Sequence, residues 1–287
     1  QPMHAGMKSP VRPLLFNCGD DKPFRLGNIQ DRRNERRENM EQKRTAELTS
    51  AGLHLLAMGL MLCDHLWAML FPAAQWLTWL GRIAFPIFAF MAVEGYFHTR
   101  NLRRYLLRLL VWALLSEIPF DLMYGGSMFY PYHQNVIWTL LLGLLLVALL
   151  EKIREFRPLL RWMASAGVVV LGFCLGYAAM IDYYGAGVLT VLTFCFFRQR
   201  NWKSFLGQLL CLYILNVELL GGYYTVVTVL GHEVEVVQQG MALLALLPIW
   251  LYRGRQGCRK TWFQYACYAF YPLHMLILVQ IQRWMLG

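Results

Sequence analysis

Charge is scarce in this chain. Asp, Glu, Lys and Arg make up 15% of its 287 residues, against about 25% in a soluble globular domain. Hydrophobic residues reach 57% and the mean hydropathy is +0.39. That balance excludes a soluble enzyme and a disordered chain. The familiar soluble-site signatures are also missing. There is no Gly-x-Ser-x-Gly elbow, no phosphate-binding Gly-Lys-Ser/Thr loop and no dinucleotide fingerprint. HEVEV at 232–236 is not a zinc motif, because a second histidine would have to stand at Val236. The seven cysteines show no CxxC or metal-ligand spacing, and Cys63, Cys174, Cys195 and Cys211 lie inside apolar runs. No disulfide framework, metal site or cleavable signal peptide is expected.

What is present is a succession of apolar runs. Nine intervals have about the length and hydropathy of membrane spans: 51–71, 77–98, 103–122, 134–151, 161–180, 184–198, 203–221, 238–252 and 262–283. The expected fold is an all-α, polytopic transmembrane helix bundle of about nine spans, eight or ten also being compatible. Residues 223–240 read as an external loop, a hairpin or a re-entrant segment. No internal repeat or inverted pair of broken helices is visible, which disfavours a secondary transporter. Residues 1–50 differ, holding ten Lys/Arg and seven Asp/Glu without a sustained apolar face. They form a polar basic arm ahead of a transmembrane domain over 51–287. Met40 reads as close to the natural start, with 1–39 upstream of it.

The net charge of +10 invites a nucleic-acid reading, but its distribution argues against one. After position 50, all basic residues except Arg82 and Arg283 fall in the breaks 98–108, 151–161, 198–203 and 253–260. Breaks without Lys or Arg alternate with these. The positive-inside rule then places the N-terminus in the cytoplasm.

Ionisable groups within spans are costly and are candidate functional groups. Helical rise puts Asp64, His65, Arg82, Glu117, Asp121, Gln134, Asn135, Asp182 and His274 at similar depth in the outer half, where one shared pocket is the economical explanation. Neighbouring helical residues point about 100° apart, so Asp64 and His65 must each have its own partner. A second set, Glu94, His98, Arg100, Arg103, Arg104 and Arg108, lies at the inner face, where arginines suit anionic phosphates. Plainer readings compete. Asp64, Glu117 and Arg82 serve equally well as structural ion pairs, His274 as a helix–helix hydrogen bond and the arginines as a topology anchor.

Five blocks carry a resemblance: LCDHL (62–66), GRIAFPIFAFMAVEGYFHTRNLRRYLLRLL (81–110), ALLSEIPFDL (113–122), HQNVIWTLLLG (133–143) and YAFYPLHMLIL (268–278). Together they resemble the TraX family of membrane proteins, linked to N-acetylation of conjugative pilin and similar to the acyltransferase 3 type of enzyme. The resemblance implies transfer of an acetyl group from cytosolic acetyl-CoA to an amine or hydroxyl of an extracytoplasmic acceptor. A pilin-like peptide N-terminus is the favoured acceptor, with a glycan as another. It implies Asp64 and His65 as the family's Asp-His pair and Arg82 in its Gly-Arg. Glu94, His98 and Arg100 match its inner-face block, Glu117 and Asp121 its Ser-Glu-Ile-Pro-Phe-Asp. Gln134 and Asn135 match its Gln-Asn, and His274 its Pro-Leu-His. In that reading His65 is the general base, Glu117 or Asp121 orients it, and Arg82, Gln134, Asn135 or His274 stabilises the oxyanion. Coenzyme A docks at the inner arginines and reaches upward between helices. The arm at 1–50 and the segment 219–240 depart from the family pattern and bear on the acceptor. A transporter or flippase is the reading from another class, in which the same charges line a substrate pathway, and a non-catalytic assembly factor is a third.

Overall fold

The computed structural model describes residues 48–229, 232–258 and 260–286. The polar arm and the start at Met40 lie outside the described residues, apart from positions 48–50. Most of the described chain is helical. In order come α1 (Ser50–Met69), α2 (Gln75–Gly81), α3 (Ala84–His98), α4 (Leu102–Tyr124), α5 (Val136–Ile153), α6 (Pro158–Ala178), α7 (Tyr184–Phe196) and α8 (Trp202–Tyr213). A π-helical turn over Ile214–Leu220 prolongs α8. After a hairpin come a 3₁₀ segment (Gln238–Ala245), α9 (Leu246–Leu251) and α10 (Thr261–Leu286).

The helix starts follow local chemistry. Thr49, Asn101, Asn135 and Asn201 each accept a hydrogen bond from a backbone amide of the first turn of α1, α4, α5 and α8, satisfying a donor the helix cannot. Pro158 opens α6, where its missing N–H costs nothing.

Every apolar interval read from the sequence contains a helical segment, with two refinements. The second is broken at Arg82 and Ile83 into α2 and α3, and the eighth is a 3₁₀ segment followed by a short α-helix. Among the described residues, five helical stretches are long and apolar enough to cross a membrane: Ser50–Met69, Gln75–His98, Val136–Ile153, Pro158–Ala178 and Trp202–Leu220. The segments Tyr184–Phe196 and Gln238–Leu251 are apolar but shorter. Helix α4 has the length to span but carries Arg103, Arg104, Arg108, Glu117 and Asp121. Past the exposed Arg103 and Arg104 of its first turn its exterior is apolar: Leu107, Val111, Leu114, Leu115 and Ile118 are exposed while Ser116 and Asp121 are buried. Polar groups inside and leucines outside is the reverse of a water-soluble helix and suits a lipid surround.

The expectation of an all-α chain is corrected in one place. Strands β1 (Tyr224–Val229) and β2 (His232–Val237) form an antiparallel hairpin, with Tyr224 opposite Val237 and Val229 opposite His232. The alternation in Glu-Val-Glu-Val is the local signal for it. Helix α3 runs through the middle of the bundle, with Ile87 and Ala89 fully buried and Val93 nearly so. Helix α7 packs against α3, α5 and α6. A Cβ on Gly176 of α6 would lie 2.7 Å from the backbone of Gly185 in α7, so only glycine permits that approach. Helix α10 packs on α1 and α4. These contacts bring the two histidines of distant segments together.

Candidate functional site

On α1, His54, Met58, Met61 and His65 recur at helical spacing and share one face. On α10, Gln264, Cys267, Tyr271 and His274 do the same. The two faces meet at their far end, where His65 Nδ1 lies 2.6 Å from His274 Nε2 with both residues buried. The rings are parallel within 7° and their centroids are 4.8 Å apart. That separation is close to the N···N distance plus two ring radii, so the imidazoles lie edge to edge in one plane.

The chain of hydrogen bonds assigns the protons. His274 Nδ1 lies 2.7 Å from the Phe270 carbonyl, which can only accept, so this nitrogen donates. In the neutral ring His274 Nε2 is then an acceptor, and His65 Nδ1 must donate to it. The remaining nitrogen, His65 Nε2, keeps its lone pair. The His–His–carbonyl relay thus leaves one basic nitrogen. Tyr124 meets the His65 ring edge-on at 6.3 Å, and the Tyr271 ring lies 6.3 Å from His65 and 5.9 Å from His274.

Asp64 turns away to its own partners, as adjacency requires. Arg82 Nη2 is 2.5 Å from its carboxylate, and the Thr78 hydroxyl donates to the same oxygen at 2.7 Å. Arg82 also donates to Thr78 Oγ1 and, at 3.5 Å, to Gln239 Oε1. Gln239 in turn donates to Asn216 of the π-helical turn. The network therefore runs from α1 through the α2–α3 break to the segment after the hairpin. The positive charge of Arg82 acts on His65, Tyr124 and Tyr183.

The acids of α4 are occupied elsewhere. Glu117 accepts from Asn135 Nδ2 and, at 2.8 Å, from the Trp138 indole. Asn135 also donates to the Ala113 carbonyl and caps α5. Asp121 accepts from the Tyr130 amide. His274 is the hydrogen-bond partner of His65, and neither Glu117 nor Asp121 takes that position. Each acid faces its own neighbour: Glu117 the start of α5, Asp121 the turn after α4. The Gln134 side chain donates to Pro131, and its backbone pairs with Met180 and Asp182. That pairing ties the 125–135 loop to the 179–183 loop, where His133 lies 3.3 Å from Asp182. Burial opposes a charge on His133, but the hydrogen bond and charge of Asp182 outweigh it and raise the imidazole above its ordinary pKa.

The residues expected at the basic end separate. A shaft of about 400 Å³ is lined there by Ser50, Glu94, His98 and Arg108 and ends among Met61, Val136 and Tyr271. Its α1 wall, from Ser50 to Met61, rises about 16 Å. His65 and His274 are the next residues along the two lining faces. Arg108 Nε is buried in this region without a hydrogen-bond partner. Arg100, Arg103 and Arg104 are exposed and line neither this shaft nor the cleft beside it.

Several contributors are absent from the sequence reading. Thr78, Gln239 and Asn216 are uncharged and carry no signal until their partners are known. Tyr124 and Tyr271 read as ordinary helix aromatics, although Tyr271 stands one turn before His274. Among the described residues no group of three or more His, Cys, Asp or Glu side chains is placed to hold a metal ion.

Comparisons with known proteins agree on a relationship. A family model described as TraX protein matches residues 50–282. The chain is 26% identical over 249 residues to a probable fimbrial assembly protein FimC, serogroup H1, of Dichelobacter nodosus, covering 82% of this chain and 96% of that protein. No solved structure matches.

Proposed function

The chain belongs to the TraX family, and on that premise we propose that it is an inner-membrane acyltransferase. In this reading it moves an acetyl group from cytosolic acetyl-CoA to an amine or hydroxyl beyond the membrane. A pilin-like peptide N-terminus is the favoured acceptor, in keeping with the fimbrial assembly name of the Dichelobacter relative.

One observation carries the reading. The shaft from the basic end and the buried histidine pair are arranged in series, with Tyr271 lining the first and flanking the second. A thin acyl-bearing arm suits the shaft, whose lining is mostly apolar, with Arg108 Nε a buried donor without a partner near its basic end. Bound acetyl-CoA supplies an activated thioester carbonyl at the head of the shaft. His65 Nε2 takes the proton of the attacking amine, whose ordinary pKa of about 8 requires that it be deprotonated first. His274 holds the His65 ring in the donating tautomer and passes part of the resulting positive charge towards the Phe270 carbonyl. The hydroxyls of Tyr124 and Tyr271 and the charge of Arg82 are the groups at hand for the oxyanion. The new C–N bond replaces the C–S bond, and the thiolate leaves by the shaft.

The test is label transfer from radioactive acetyl-CoA to pilin-like peptides by the protein in liposomes. His65→Ala is expected to lower the rate by about 10²- to 10⁴-fold in protein that still folds, although the cavity and the stranded His274 nitrogen lower its unfolding temperature. His274→Ala, acting through the same relay, should add little when combined with His65→Ala. A folded His65→Ala protein with full transfer would sink the mechanism. A wild type that transfers nothing while supporting pilus assembly would favour a non-catalytic assembly role.

A further inference from the structure

Three breaks that fix topology in the sequence, 151–161, 198–203 and 253–260, converge in space. They line a cleft of about 1090 Å³ at the basic end with Arg154, Arg161, Arg198, Arg200 and Arg253. Only two carboxylates face them, Glu94 and Glu151, which leaves a formal excess of three positive charges. Arg154 pairs with Glu151 and Arg198 with Glu94. Arg200 is fixed differently, donating to the Ile249 and Tyr252 carbonyls while lying over the Trp250 ring. Arg161 and Arg253 have no anionic partner among the described residues.

The cleft is not isolated. Glu94, His98, Tyr252 and Gly254 line both it and the shaft leading to the histidine pair. A ligand with phosphates in the cleft and a narrow arm in the shaft would occupy both spaces across this common wall. The exposed arginines of the 98–108 break face neither.

We propose that this cleft binds the phosphates of the nucleotide end of acyl-CoA, with Arg161 and Arg253 as its uncommitted anion contacts. The inference rests on the acyl-CoA reading above and names the residues that reading needs. Guanidinium groups suit phosphate because their paired N–H donors match two oxygens at once. Arg154 and Arg198 can exchange a carboxylate for a phosphate, and Arg200 holds the wall formed by α9.

Calorimetric titration of the full chain in phosphatidylcholine nanodiscs tests this, with CoA and adenosine 3′,5′-bisphosphate, which lacks the arm, as probes. The paired variant Arg161→Gln/Arg253→Gln is expected to weaken both probes by about tenfold or more and to flatten their salt dependence. Arg103→Gln/Arg104→Gln should leave both unchanged, and both variants should unfold at the wild-type temperature. Unaltered CoA affinity in Arg161→Gln/Arg253→Gln would overturn the cleft assignment while leaving the acyltransferase reading intact. Bisphosphate binding that depends on Arg161 and Arg253, in a protein that gains nothing from the arm and transfers no acetyl, would keep the phosphate cleft and sink acyl-CoA. If neither probe binds and phosphatidylglycerol raises the unfolding temperature of wild type but not of Arg161→Gln/Arg253→Gln, the cleft serves lipid headgroups and the proposal fails.

Discussion

Arg82, in the break between α2 and α3, holds Asp64 of α1 at 2.5 Å, while Thr78 bonds to both. The pair is mostly shielded, with side chains 20% and 15% exposed. Gly81 makes the approach feasible: a Cβ there would lie 2.7 Å from Asp64 Oδ1. Removing one partner leaves the other as an uncompensated, largely buried charge. Asp64→Asn is therefore expected to cost about 3 kcal/mol of stability, and Asp64→Asn with Arg82→Gln less than the sum of the two. Gly81→Ala, which drives α2 against the Asp64 side chain, should destabilise by about 1–3 kcal/mol. Thermal unfolding in one detergent checks all three; additive losses from Asp64→Asn and Arg82→Gln would mean that the two side chains do not act as a unit.

Asn135 serves two functions, capping α5 with its oxygen and joining Glu117 and the Ala113 carbonyl with its amide. Asn135→Ala is expected to cost about 2–3 kcal/mol, roughly 1 for the cap and the rest for the buried acceptors it strands. Asn135→Asp keeps the cap but sets a second carboxylate against Glu117. It should be at least as damaging as Asn135→Ala at neutral pH, and less so in acid. Equal unfolding temperatures for Asn135→Asp and wild type at pH 7 would show that the Glu117 contact is dispensable.

The His133–Asp182 contact predicts a pH dependence of known sign. The folded-state pKa of His133 lies above its unfolded value of about 6.5. Its contribution to stability is thus fully present below about 6.5 and is lost as pH rises through the raised folded value. The difference in unfolding temperature between wild type and Asp182→Asn should be largest below pH 6 and shrink on the alkaline side. A difference that grows with pH would contradict the ion pair.

Some of the site is legible along the chain because helical geometry is local. Asp64 and His65 had to diverge, and Asp64 turns to Arg82 and Thr78 while His65 turns to His274. Glu94 and His98, four apart, share a face, and His98 donates to the Glu94 carbonyl. The assignment of Glu117 or Asp121 as the partner of His65 needed a direction across the bundle, and depth alone gives none. Residues at one height can face any of several neighbours.

The sequence by itself determined the succession of apolar helices, the segregation of basic residues to alternate breaks and the set of polar groups worth suspecting. All of these follow from composition and from periods of a few residues, which each segment carries without the rest of the chain. The tertiary structure alone decided that His65 meets His274 across 209 residues, that Gln239 and Asn216 support Arg82, and that arginines from three breaks share one cleft. Those pairings depend on which helix faces pack together, and that is a property of the whole bundle's close packing rather than of any one segment.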